Sequence, residues 1–193
     1  VLSFWLVLTR INSDVTAKNT APSQARIVFC VLVILPILSL TMPVQQQIYL
    51  ILHNIRSAYN VGSIFRTADA AGITRVYLCG ITPRPPHSKI AKTALGAEKI
   101  IWWEYHKQIS RLLKRLKDNG TRIIALEQTP GSINYRKFKP KFPLAIIVGN
   151  EVRGLNKRIL SLTDRIIEIP MYGQKESLNV AVATGVAIYK IIE

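Results

Sequence analysis

The stretch Leu144-Ala145-Ile146-Ile147-Val148-Gly149-Asn150-Glu151-Val152-Arg153-Gly154-Leu155 decides the fold. Its first five residues are apolar without alternation, rich in β-branched side chains, and bounded by Pro143 and Gly149. That is the pattern of a strand covered on both faces, as in a parallel sheet. Residues 48–52, 75–79, 122–126 and 165–169 repeat it, each short and mostly aliphatic. Between them lie helical signals. Residues 61–71 follow Asn60, read as an N-cap, and stop at Gly72. Residues 106–118 carry Ile109, Leu112, Leu113 and Leu116 at helical spacing and stop at Asn119-Gly120. A last helix, 178–192, follows Ser177, also read as an N-cap. Strands alternating with helices predict an α/β fold: a mostly parallel sheet flanked by helices, with ligands at the carboxyl ends of its strands. The loops at 80–94, 127–143, 149–156 and 170–176 are the places to look for a site.

The 193-residue chain is 49% hydrophobic and 19% charged, which excludes global disorder. Twenty-six lysines and arginines oppose 11 acids, for a formal charge of +15. Such an excess favours a polyanionic partner, since each phosphate contact releases condensed counterions. Cys30 and Cys79 form no CxxC pair and have no histidine at ligand spacing, so neither a disulfide framework nor a zinc site is expected. No metal is expected at all, and a reducing, cytoplasmic location fits.

The first 41 residues differ in character. An apolar run, 27–40, is shorter than a spanning helix needs and is interrupted by Pro36, so membrane anchorage rests on little. Met42 stands just before the first convincing strand. The expectation is that translation starts there, with 1–41 an untranslated or disordered extension and 42–193 the catalytic domain. Arg10, Lys18 and Arg26 against Asp14 leave +2 in the extension, so +13 belongs to 42–193.

The sequence holds no G-x-G-x-x-G after its first strand, no P-loop and no G-x-S-x-G. Three dense clusters remain, each at the carboxyl end of an expected strand. The first, 54–69, contains Asn60, Gly62, Arg66, Thr67 and Asp69; taken alone, Asn60 is a cap and Arg66 pairs with Asp69 at i+3. The second, 147–155, sets two glycines around Glu151. Gly149 permits close backbone approach to a ligand, or the segment is a tight turn with Glu151 near a helix N-terminus. The third, 169–180, runs Ile-Pro-Met-Tyr-Gly-Gln-Lys-Glu-Ser-Leu-Asn-Val. Asn179 is a mediocre helix former on an otherwise apolar helix. That helix is apolar nearly all round, which predicts a subunit interface.

The ordered set N-x-G-x-x-x-R-T-A, G-N-E-x-x-G-L and I-P-M-x-G-x-x-x-S-L-N-V resembles the SpoU (TrmH-like) family of RNA ribose methyltransferases, within the SPOUT superfamily. The likeness covers about residues 46–193. It implies an α/β fold with a deep C-terminal trefoil knot, a homodimer, S-adenosylmethionine as cofactor, and methylation of a ribose 2′-hydroxyl in structured RNA. Matched residue by residue, the family's functional positions fall on Asn60, Arg66, Glu151, Ser177 and Asn179. Cofactor contacts fall on Leu126, Gly149, Ile169, Met171 and Leu178. Ala181 departs from the serine that many relatives carry. No separate substrate-recognition domain precedes the catalytic one, and transfer RNA is preferred over ribosomal RNA on that ground.

The implied chemistry is in-line attack of the 2′-oxygen on a sulfonium methyl, which needs positioning more than a covalent nucleophile. The family gives the activating role to the arginine at 66, yet a guanidinium is a poor base. It stabilises a developing alkoxide more readily than it takes a proton. Asn60, Ser177 and Asn179 would orient arginine and ribose, with Glu151 organising the site or fixing Arg66. Basic loops are expected to grip RNA: Arg84, Lys89 and Lys92; then Arg136, Lys137, Lys139 and Lys141, with Tyr135 and Phe138 placed to stack on a base; and Arg153 beside the site. Alternatives are an RNA base methyltransferase of the same superfamily and a non-catalytic RNA-binding protein of the same fold.

Overall fold

The computed structural model describes residues 46–193, which form one compact unit. The expectations for residues 1–41, including the Met42 start beside them, lie outside the described residues. Seven strands, all paired in parallel, are β1 (Ile48–His53), β2 (Arg75–Cys79), β3 (Trp103–His106), β4 (Arg122–Leu126), β5 (Ile133–Asn134), β6 (Leu144–Val148) and β7 (Arg165–Glu168). Their order across the sheet is β3-β2-β1-β6-β4-β7-β5. The helices are α1 (Ala58–Ala70), α2 (Ser88–Ala94), α3 (Ala97–Ile100), α4 (Ile109–Asp118), α5 (Lys157–Leu160) and α6 (Val180–Ile192). No helix among the described residues is long and apolar enough to cross a membrane.

Alternation along the strands sends side chains into two cores. On one face Leu50, Leu52, Val76, Leu78, Ile146 and Val148 meet Val61, Ile64, Phe65 and Ala68 of α1 and Ile188 and Ile191 of α6. On the other, Ile51, Ile123, Ala125, Ala145 and Ile147 meet Ile109, Leu112, Leu113 and Leu116 of α4 and Ile159 of α5. Burial of each leucine or isoleucine on α4 contributes about 1.5–3 kcal/mol. Strand β6 is buried at all five positions, as its unbroken apolar run predicts.

Several local expectations are corrected. Helix α1 begins two residues before Asn60: Ser57 is the N-cap, and its Oγ accepts from the Asn60 N–H. Helix α6 begins at Val180 with Asn179 as N-cap, so Ser177 caps nothing and Asn179 is not inside the helix. His106 ends β3 rather than opening α4. The apolar helix α6 buries Thr184, Ala187, Ile188 and Ile191, whereas Val182 and Tyr189 remain about half exposed, at 53% and 52%.

Candidate active site

Three segments meet above the carboxyl ends of the strands, because each leaves its strand, β1, β6 or β7, at that end. The junction is a chain of hydrogen bonds. The Glu151 carboxylate accepts from the backbone N–H groups of Arg56 (2.9 Å) and Ser57 (3.0 Å) and from Asn60 Nδ2 (3.0 Å). Asn60 Oδ1 then accepts from Asn179 Nδ2 (3.1 Å), and Asn179 Oδ1 accepts from the Ala181 N–H (2.8 Å). Glu151 is therefore an N-terminal cap supplied from elsewhere in the chain, a negative charge on the positive end of α1. Burial pushes its pKa up. The hydrogen bonds from Arg56, Ser57, its own backbone and Asn60 outweigh that and hold it below the ordinary carboxylate value.

Beside this relay lies a cleft of about 380 Å³. Leu126, Gly149, Ile169, Met171 and Leu178 all line it, with Glu151 and Ser177. Asn60, Arg66 and Asn179 stand outside the lining. Four carboxylates, Glu127, Glu151, Glu168 and Glu176, converge here with no lysine or arginine among them. Glu127 is anchored by the Leu155 N–H (2.7 Å), and Glu168 accepts from the Ser132 hydroxyl. The lining also carries apolar side chains: Leu126, Val148, Ile169, Met171, Leu178 and Val180. On a protein of +15 with 11 acids, such a concentration of negative charge suits a cationic ligand with an apolar body.

Gly149, in the cleft lining, is also required by the turn itself. A Cβ there would stand 2.7 Å from the Gly154 carbonyl carbon and 2.9 Å from Leu155 Cγ, so the loop's own closure demands glycine. Gly154, at φ +61, lies over Glu127, whose Oε2 would be 2.3 Å from an added Cβ. The Asn150 Oδ1 closes the same turn by accepting from the N–H groups of Val152 and Arg153.

Arg66 sits exposed on α1 with no hydrogen bond or ion pair among the described residues; neither Asp69 nor Glu151 holds it. Its neighbour Thr67 faces Gly185 of α6. The basic residues expected to meet RNA fall into separate regions. Arg84 lies 4.4 Å from the Tyr105 ring centroid and Lys89 lies 5.9 Å from that of Tyr59; Lys92 is exposed on α2. Arg153 lines a further cleft with His53, Asn54 and Arg56. Lys137, Lys139 and Lys141 line a cleft at the other end of the sheet, whereas Arg136 stacks over Tyr135. Tyr135 and Phe138 are half-buried against the core, and Phe138 also lines the amino-end cleft.

Sequence reasoning missed Glu127, Glu168 and Glu176, which no motif marks. It also missed Asn54, a non-glycine residue in the left-handed region at φ 57. Its strain is held by the Ile81 N–H on Oδ1, by its own N–H on the Cys79 carbonyl, and by Asn150 Nδ2 on its carbonyl.

Fold and cleft together define an α/β protein that takes a ligand at the carboxyl ends of a parallel sheet. Residues 47–189 match the family described as SpoU rRNA methylase, and the chain belongs to that family. It is 32% identical over 147 residues to a tRNA (guanosine(18)-2′-O)-methyltransferase of Aquifex aeolicus, covering 76% of this chain and 69% of that protein. An S-adenosylmethionine-bound rRNA methyltransferase from Sinorhizobium meliloti superposes with a TM-score of 0.70 at 28% identity, over 77% of this chain and 57% of that one. A structure described as giving insight into 2′-OH methylation of C/U34 on tRNA superposes at 0.68 with 27% identity, over 75% of this chain and 93% of that one. The chain spans about two thirds of the length of the curated relatives it matches, 69% and 63% for two of them.

Proposed function

We propose that the chain is an S-adenosylmethionine-dependent methyltransferase acting on a ribose 2′-hydroxyl of structured RNA, transfer RNA in preference to ribosomal RNA. The carrying observation is the cleft of four carboxylates and apolar side chains on a strongly basic protein. S-adenosylmethionine fits it chemically: its sulfonium and ammonium groups are cationic, and its adenosine presents an apolar face. When bound, it supplies a methyl group on a positively charged leaving group. Leu126, Ile169, Met171 and Leu178 would hold the adenosine portion, and Glu127, Glu168 and Glu176 would face the cationic end. Relatives whose names specify ribose 2′-O-methylation support the choice of the 2′-oxygen. The preference for transfer RNA is supported by the tRNA-directed structure of which this chain covers 93%.

The relay positions rather than reacts. Glu151 fixes the start of α1, Asn60 ties it to the start of α6, and Arg66 is carried about one and two-thirds turns beyond Asn60 along α1. A guanidinium is a donor-only cation, suited to hold the 2′-oxygen as its proton leaves for water or phosphate. Ser177, in the cleft wall, would orient the ribose. The reading includes a homodimer through α6, supported by the exposed apolar side chains of Val182 and Tyr189 on that helix. It includes work in the cytoplasm. It also includes a deep trefoil knot, supported by the path of 169–179. That segment leaves β7, beyond β6 and β4, and ends at a helix packed on α1.

The test is incubation of the full chain with methyl-labelled S-adenosylmethionine and RNA from a strain lacking the protein. Label in transfer RNA, recovered as an alkali-resistant 2′-O-methyl dinucleotide, is the expected result. Label released with a modified base would make it a base methyltransferase. No label and no cofactor binding would make it an RNA-binding protein without this activity.

A further inference from the structure

The amino ends of β4 and β7 open on a second cleft, of about 850 Å³, that the reaction does not use. Arg122 and Arg165 are the first residues of those strands, and Lys117, Lys137, Lys139 and Lys141 complete its rim. Its one acid, Asp164, is already engaged: Oδ1 meets Lys117 Nζ at 3.0 Å and Oδ2 accepts from the Ile123 N–H at 2.6 Å. Arg165 donates only to the Asp164 backbone carbonyl. Arg122, Lys137, Lys139, Lys141 and Arg165 thus face one cleft, all exposed, with no carboxylate partner among the described residues. Like charges gathered this way repel one another, an arrangement that a polyanion relieves.

Geometry joins this cleft to the active site. Strands β4 and β7 run from one to the other, and four residues of extended chain separate their ends by about 13 Å. The 135–141 segment returns from the carboxyl end of β5 toward the amino end of β6, with Tyr135 and Phe138 packed on the core. Its Arg136 lies within electrostatic reach of Tyr172, in the segment that walls the carboxyl-end cleft, while its three lysines turn into the amino-end cleft. We propose that the RNA backbone passes round the β5–β7 edge from the catalytic cleft to this one, with Arg122 and Arg165 clamping phosphates distant from the methylated ribose. The substrate is then an extended, folded RNA rather than a short single strand. This rests on the function proposed above.

The test is R122Q/R165Q in the full chain, with bulk unmodified transfer RNA as probe. RNA binding should weaken at least tenfold at low salt. The slope of log Kobs against log salt should lose about 1.4 to 1.8, the value for two phosphate contacts. Under methylation conditions KM rises while kcat at saturation and S-adenosylmethionine affinity hold, and R122K/R165K restores the slope. An affinity and slope equal to those of the unaltered chain would overturn the proposal, as would weakened binding with an unchanged slope. Should the unaltered chain bind RNA steeply yet neither bind nor use the cofactor, the enzymatic reading fails while the slope comparison still decides this one.

Discussion

Two clefts sit at opposite ends of the same strands and carry opposite charge. The carboxyl end gathers Glu127, Glu151, Glu168 and Glu176; the amino end gathers six lysines and arginines around a single engaged aspartate. Three of the four acids, Glu127, Glu151 and Glu168, are tied in place by backbone N–H groups, an amide and a hydroxyl, with Glu176 exposed beside them, whereas most of the cations are untied. The difference teaches what each end is built for. Fixed, partly buried charge suits one small ligand held in one pose. Mobile surface charge suits a long polyanion whose contacts are individually weak and collectively salt-sensitive.

That contrast can be broken by substitution. R66A should have the largest effect, lowering methyl transfer by about 10²- to 10³-fold or more with cofactor affinity intact; single-turnover rates beside calorimetric binding decide it. G149A should cost about 1–3 kcal/mol, because the new Cβ meets backbone rather than a movable side chain. Denaturant melts would show it, and an unchanged midpoint would mean that the loop yields. N60A and N179A should couple by about 0.5–1.5 kcal/mol in a double-mutant cycle; strict additivity would show that the 3.1 Å contact carries nothing. E151Q tests acid stability. The folded Glu151 pKa lies below its unfolded value, so its contribution is present above the ordinary carboxylate pKa and disappears as pH falls through the folded one. Thermal melts from neutral pH down past that range should converge for E151Q and the unaltered chain. At the amino end, K117A should cost only about 0.2–1 kcal/mol, since the Asp164 pair is more than a third exposed.

Much of the frame was legible in sequence because buried parallel strands announce themselves. Strands β1, β2, β4, β6 and β7 stand where their aliphatic runs lie, within a residue at their ends. Strand β3, Trp-Glu-Tyr-His, lies at the sheet edge with every residue half-buried, so its pattern is mixed and its last residue was given to a helix. Strand β5 has two residues and no pattern to show. Helices α3 and α5, of four residues each, are shorter than the spacing that reveals a face. At the site, the residues carried by the three clusters meet as hydrogen-bonded neighbours or share a cleft, Arg66 excepted. What no local rule could supply was the division of labour. Ser57 caps α1, which frees the Asn60 amide for partners 91 and 119 residues away. The acids of the cleft wall come from three separate parts of the chain, the turns after β4 and β6 and the end of β7 with the segment beyond it, and only the closed sheet brings them together.

The contact between Asn60 and Asn179 has a further consequence, in the order of synthesis. A nascent chain releases the residues of β1, α1 and the Glu151 turn before residue 179, and until then Asn60 Oδ1 has no partner from the last helix. Contacts so distant in sequence come late and slowly, because the intervening chain must be ordered first. Closure of the relay therefore doubles as a completion check: a chain that stops before residue 179 has the residues of every strand, yet it leaves the relay open at Asn60.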